Sequence, residues 1–328
     1  MGAQLFEVLV LSLVVALALL PALAFGLRLR GLRLALGGVS VFALGSLALA
    51  AVAPTLQPPR VAEAAILDRP VEEPREGYVS SKTCASCHPG QHESWSASYH
   101  RTMTQVATPE TVAGDFDDVR LEFHGASYHL QRRGDEFWVE MDDPAYMGRG
   151  RPPRIERRIV MMTGSHHDQD YWYATPGGGR DLRLLPLDFR IEEQRWIPYV
   201  SSFMLPPGSR FNYRESNWTQ SCVKCHTTYG EASVDPRTRQ VDAKAAEFGI
   251  ACEACHGPGA EHVEANRDPQ RRYALHLSGD ADPTIVNPAR LPALQSSQVC
   301  GQCHGQWVER RPRTDLMPGE HRYRPGDD

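Results

Sequence analysis

Four copies of one pattern, C-x-x-C-H, set the terms on which this chain can fold. They are Cys84-Ala-Ser-Cys87-His88, Cys222-Val-Lys-Cys225-His226, Cys252-Glu-Ala-Cys255-His256 and Cys300-Gly-Gln-Cys303-His304, and they use all eight cysteines. Redox dithiols and zinc knuckles also separate two cysteines by two residues, but neither needs histidine at the next position. The second and third pairs are close enough in sequence to make a four-ligand zinc site, which is the competing reading. A c-type haem uses all three residues. The thiols bond to the porphyrin edge and the adjacent imidazole ligates the iron from one face. The pattern implies four covalently bound haems c, with His88, His226, His256 and His304 as proximal ligands.

The N-terminus points to the compartment. Val8 to Gly26 and Leu34 to Ala53 are two apolar runs, each long enough to cross a bilayer as a helix. Arg28, Arg30 and Arg33 lie between them, and the positive-inside rule puts that loop in the cytoplasm. Everything after Ala53 then faces the periplasm, where bacteria attach haem c. A cleavable signal peptide ending near Ala50–Ala53 is the alternative, and it leaves the first run without a purpose. The expected division is a membrane anchor of two transmembrane helices (1–53), a Pro-rich tether (54–77) and a tetrahaem domain (78–328). A net charge of −5 and the lack of a basic run argue against nucleic acid as a partner.

The motifs are unevenly spread, with one at Cys84 and three from Cys222 onward. Between them, segments such as Val119-Arg-Leu-Glu-Phe-His, Ser127 to Arg132 and Glu136 to Met141 alternate apolar and polar residues. Arg157 to Met162, Tyr171 to Thr175, Leu182 to Phe189 and Arg195 to Tyr199 continue the pattern, and Pro176-Gly-Gly-Gly179 reads as a turn. A β-rich insertion over 113–215 follows, between haem 1 and haem 2. Helices are expected over 90–103, 243–248 and 259–265. The fold class is an irregular, haem-packed α+β periplasmic domain carried by two N-terminal transmembrane helices.

Each iron has a second axial position, and its occupant decides between electron transfer and substrate binding. Nine histidines lie outside the motifs. His262 follows His256 by six residues, but Gly257-Pro-Gly259 turns the chain away, so a helix starting there aims His262 at a neighbouring haem. His100, on the stretch with Trp95, Tyr99 and Met103, is a second candidate. Met103 competes with it as a thioether ligand or packs in the core. His92 reads equally as a ligand or a surface residue. One of His166 and His167, adjacent in a loop between strands, is expected to ligate a haem of the C-terminal group. His124 and His129, flanking a hairpin, fit exposed strand positions better, and His276 and His321 lie in polar segments.

The stretch NWTQSCVKCHTTYGE…EFGIACEACHGPGAEH, Asn217 to His262, resembles multihaem c-type cytochromes related to the tetrahaem electron acceptor of hydroxylamine oxidoreductase. The first motif with its trailing His92 and His100 is similar too. MTGSHHDQDYW, IVNPARL and HRYRPGDD are shared with the haem region of multihaem cytochromes that continue into tetratricopeptide repeats. The likeness covers about 78–328 and implies distal roles for His100 and His262, each on another motif's haem. His92 departs by one residue from the relatives' spacing. The relatives leave one haem five-coordinate, a position that the His166–His167 pair is available to close here. Repeat-bearing relatives extend past Asp328, so a short or truncated member is expected.

The expected function is electron transfer. A bis-histidine iron must lose a ligand before it can bind substrate, so such haems pass electrons between partners. Redox proteins are the expected partners, among them a quinol-oxidising or photosynthetic complex of the bacterial inner membrane. The alternative is a haem enzyme acting on a small nitrogen or sulfur species at a five-coordinate iron, with Tyr171, Tyr173 and His166 as proton donors. Against it, no motif replaces its histidine with lysine, as the similar nitrite reductases do. The first expectation to test is the cofactor itself. Intact mass of the purified protein should exceed that of the polypeptide by four haems, and a band without haem-dependent peroxidase stain would sink that reading.

Overall fold

A computed structural model describes residues 66, 68–175, 180–202, 204, 217–238, 240–305 and 323–327. Both apolar N-terminal runs, most of the Pro-rich stretch, the turn at Pro176–Gly179 and His321 lie outside the described residues. Among the described residues, no helix is long and apolar enough to cross a membrane.

A short strand, β1 (Val71–Glu72), comes first, so the end of the Pro-rich stretch is bound and not free. Helices α1 (Ser81–Ala85), α2 (Pro89–Ser96) and α3 (Tyr99–Thr102) follow. Eight strands come next: β2 (Thr104–Val106), β3 (Val119–Phe123), β4 (Ala126–Arg133), β5 (Glu136–Asp142), β6 (Arg154–Thr163), β7 (Asp168–Ala174), β8 (Leu182–Arg190) and β9 (Arg195–Pro198). The second half holds α4 (Tyr199–Ser202), α5 (Trp218–Ser221), α6 (Val223–His226), β10 (Thr227–Thr228), β11 (Lys244–Ala245) and β12 (Glu247–Phe248). It ends in α7 (Cys252–His256), α8 (Ala260–Ala265), α9 (Pro269–Ser278) and α10 (Ala293–His304). The domain is α+β, as the residue pattern predicts.

Strands β3 to β9 form an antiparallel meander in chain order, and β2 joins it on β6. The alternation in β5 shows why. Phe137, Val139 and Met141 are buried while the residues between them are only half covered, the period-2 pattern of a sheet with one core face. Val139 pairs with Leu130 across β4, and both are fully buried. The segment after β2 folds over this face and inserts Phe116 between Phe137, Tyr171 and Trp196, at centroid separations of 5.2–5.4 Å. These edge-to-face contacts, each worth about 0.5–1.5 kcal/mol beyond area burial, close the core.

Two joints fix this sheet to the haem-motif region. β2 pairs Thr104–Val106 with Met161–Thr163, directly after α3, and Gly164 N donates to Met103 O at 3.0 Å. At the other end Asn217 donates to the Asp181 carboxylate beside β8 and bridges Arg183, while its side chain caps α5. The sheet thereby holds the entry to motif 2.

Two helical expectations need correction. Within 243–248 the chain forms two short strands, Lys244–Ala245 and Glu247–Phe248, and no helix. Helix-forming Ala and Glu are overridden by pairing, as β11 runs parallel to β1 and β12 antiparallel to β10. The single helix over 90–103 is two, broken at Ala97–Ser98. Ser96 and Ser98 hydroxyls donate to the Glu93 and Trp95 carbonyls, offering the backbone a local alternative to further helix. His129 also departs from expectation, since it is buried in β4 and bonded to Asp118.

Gly249 shows how tightly the halves approach. Its φ is +75°, and a Cβ there would collide with the Arg101 carbonyl oxygen. Next to it Ile250 N donates to His100 O at 2.9 Å, and Trp95 Nε1 donates to Ile250 O at 2.7 Å. Gly249→Ala is expected to cost about 1–3 kcal/mol through strain and displacement of α3. Denaturant unfolding of the haem-loaded protein measures this, and an unchanged midpoint would refute the close approach.

Asp170 and Asp188 face one another across β7 and β8. Burial, then the Asp188 and Asp168 charges, push Asp170 well up. Burial raises Asp188 to about 6, opposed by the hydrogen bond from the Ser202 hydroxyl. An acid whose folded value is raised binds its proton more tightly when folded. Its contribution is therefore greatest at low pH and is lost as pH rises from the ordinary 3.8 towards about 6. The loss for Asp188 is on the order of 3 kcal/mol. In Asp188→Asn that fall in unfolding free energy should flatten between about pH 4 and 6; an identical slope in both proteins would overturn the assignment.

Candidate haem-binding site

Each motif lies on a helical turn, and the spacing explains the geometry. Residues i and i+3 share one helix face, so the two thiols of a motif point the same way, and histidine at i+4 sits one turn above the first cysteine. The His88 and His226 amides each donate to the carbonyl of their first cysteine at 2.9 Å. Pro89, at the start of α2, stops the first motif helix and leaves His88 at the N-cap of the next. None of the eight cysteines is in a disulfide.

Specific contacts tie the motifs together. The thiols of Cys84 and Cys252 are neighbours, as are those of Cys225 and Cys303. Between motifs 3 and 4, Gln302 Nε2 donates to Ala254 O at 2.8 Å, and Cys255 lies near Cys300. Cys225 Sγ also approaches Gln302 O at 3.7 Å. The order of neighbours in space is motif 2, motif 4, motif 3, motif 1. Two buried glutamates bind motif 1 to the rest. Glu253, inside the third motif, accepts from Val79 N at 2.9 Å and from Gly259 N at 2.7 Å. Glu247 accepts from Ser81 N at 2.8 Å and from the Ser81 hydroxyl. Burial pushes Glu253 up, and those amide donors oppose the shift.

The histidines divide into those that meet a motif histidine and those that do not. The rings of His88 and His262 are 6.2 Å apart with planes at 22°, and those of His100 and His304 are 6.3 Å apart at 75°. Both separations exceed a stacking contact. They fit two imidazoles on opposite sides of one metal ion, since two bonds of about 2.0 Å and two nitrogen-to-centroid distances of about 1.1 Å sum to about 6.2 Å. His256 Nδ1 lies 2.8 Å from Val286 O. A carbonyl only accepts, so Nδ1 carries the proton and Nε2 keeps the lone pair a metal needs. His226 is half-buried beside the Met103 backbone, its Nδ1 has no hydrogen-bond partner, and burial lowers its pKa, favouring the neutral ring. The donor sets fit haem c.

The remaining candidates are placed otherwise. His166 and His167 are exposed and stack on each other at 3.7 Å, and Tyr99 covers His166 at 4.0 Å. His92 packs against Trp95. Met103 is half-buried, and its carbonyl holds the turn at Gly164. His124 sits in the β3–β4 turn with φ +52°, and His276 is exposed on α9. Sequence reasoning missed Glu247 and Glu253. A glutamate between two motif cysteines was the available signal, but nothing local shows that its partners lie so far away in the chain.

A family model described as "Cytochrome c554 and c-prime" matches residues 209–257, which include motifs 2 and 3. Among solved structures, the outer cell wall cytochrome OcwA is similar at 20% identity with a TM-score of 0.45, over 77% of this chain. The chain spans 43% of that protein's length. No curated protein matches. Over its second and third motifs the chain is thus similar to c-type cytochromes, which supports covalently bound haem and a role in electron transfer.

Proposed function

We propose that the chain is a tetrahaem electron carrier whose Cys84/Cys87, Cys222/Cys225, Cys252/Cys255 and Cys300/Cys303 pairs each hold one haem c. His88, His226, His256 and His304 are the proximal ligands. His262 completes the haem of motif 1 and His100 completes that of motif 4. The two ring separations near 6.2 Å carry this reading. When bound, haem supplies reversible one-electron chemistry. The chain's own part is to present imidazoles in their ligating tautomer and to hold the four attachment points in the order 2, 4, 3, 1. Two strong ligands exclude water and substrate from an iron, which suits transfer over turnover.

The surroundings follow as parts of the same proposal. The two apolar runs before Ala53 anchor the domain at the bacterial inner membrane, and the motifs face the periplasm. Electrons pass to and from redox proteins, with a quinol-oxidising or photosynthetic membrane complex as donor. A haem enzyme acting on a small nitrogen or sulfur species is the second reading. It is favoured by one observation, that the described residues bring no second histidine ring against His226 or His256 at the separation found for the other two motifs.

Low-temperature EPR of the oxidised, haem-loaded protein tests the ligation. Near-parallel and near-perpendicular imidazole planes give distinct low-spin signals, so the His88/His262 and His100/His304 haems should be separable. His262→Ala and His100→Ala should each convert one of those signals to high spin and open one iron to carbon monoxide. If either variant leaves the low-spin signals intact, that ligand assignment fails. Carbon monoxide binding by the reduced wild-type protein would favour the enzyme reading.

A further inference from the structure

His262 is held by a carboxylate, which sets it apart from His256. Local sequence builds the arrangement. Helix α8 places His262 and Asn266 one turn apart. Asp268 caps α9 and puts Arg271 in its first turns, and Gly279, at φ +68°, ends that helix so that the chain returns with Asp282. Asp282 Oδ2 then lies 3.1 Å from His262 Nδ1. Arg271 grips the same carboxylate with both Nη atoms, at 2.9 Å to Oδ2 and 2.7 Å to Oδ1. Thr284 N donates to Oδ1 at 3.0 Å, and the Thr284 hydroxyl donates to it at 2.5 Å.

The proton positions follow from the donors available. Asn266 has two N–H groups, and its Nδ2 lies 2.8 Å from Asp282 Oδ2 and 2.9 Å from His262 O. The Thr284 hydroxyl is engaged by Asp282. Asn266 Nδ2 and Thr284 Oγ1 also lie 3.0 Å and 3.5 Å from His262 Nδ1, but their hydrogens already have acceptors. An ionised carboxylate has none to give. His262 Nδ1 is therefore the donor to Asp282, and Nε2 carries the lone pair. His256 donates in the same sense, but to the neutral carbonyl of Val286.

We propose that Asp282 is a positioning residue for His262, fixing its ring and increasing its imidazolate character, and that Arg271 limits that charge donation. The proposal rests on His262 being an axial ligand of the motif 1 haem. A carboxylate behind a ligating imidazole raises its basicity and so favours the oxidised metal. The motif 1 haem is accordingly biased to a lower potential than it would have with a carbonyl-bonded ligand. It sits at one end of the 2, 4, 3, 1 order, so the bias pushes electrons away from that end.

The test is an EPR-monitored redox titration of the haem-loaded full chain, with the motif 1 signal assigned by its loss in His262→Ala. In Asp282→Asn that haem should titrate at a higher potential, its g-values should shift, and displacement of His262 by carbon monoxide should become about 10-fold easier or more. In Arg271→Met the same haem should move to lower potential. Opposite signs from two variants of one contact are not what general loosening gives, and Arg271→Met decides the matter should Asp282→Asn fail to load haem. Unchanged g-values with Asp282→Asn would overturn the proposal, because a charge acting only through space leaves the ligand field alone. So would same-signed shifts in the two variants. If His262→Ala produces no high-spin haem, the ligation reading falls instead, whatever Asp282→Asn does.

Discussion

The Glu253 carboxylate is the contact on which the arrangement of motifs depends. It lies between the two cysteines of motif 3, only 1% exposed. One oxygen takes the Gly259 amide and both reach the Val79 amide. The first bond shapes the Gly-Pro-Gly turn that sends His262 outward, and the second pins the start of the motif 1 helix. One buried group thus fixes both the turn that leads to His262 and the start of the motif 1 helix. A buried carboxylate is costly unless its lone pairs are filled, and here backbone donors fill them.

The β-sheet fixes the His100 helix and the entry to motif 2. Its strand β2 leaves directly from the His100 helix, and the capping side chain of Asn217 links its β8 edge to the helix entering motif 2. His100 is positioned from both sides, by this strand and by the close approach of Gly249 to its carbonyl. The sheet has its own aromatic core, built from Phe116, Phe137, Tyr171, Phe189 and Trp196. The motif region is different. Its helices are short, and α2, α3, α8 and α9 bury no residue completely.

Legibility in the sequence followed the range of the forces. The strands of the insertion were readable because period-2 alternation is local, and Glu136 to Met141 differs from the observed strand by one residue. Cysteine spacing gave the motif turns for the same reason. Residues 243–248 misled because their helical propensity is local while the partners that win, Val71–Glu72 and Thr227–Thr228, are distant. His166 and His167 are placed by contacts that the sequence does not show. Their rings stack on each other, and His166 stacks on Tyr99, at the surface. Asp282 was invisible for want of any local signal, since its meaning comes only from where Gly279 returns the chain.

The separation between Val79 and Glu253 is 174 residues, and that distance governs how the protein can come into being. Loop-closure entropy must be met before such a contact yields any stability. During synthesis the first motif emerges long before the segment that completes it, and its cysteines wait through the whole of the sheet. The sheet, whose strands β3 to β9 pair in chain order, forms between those two events.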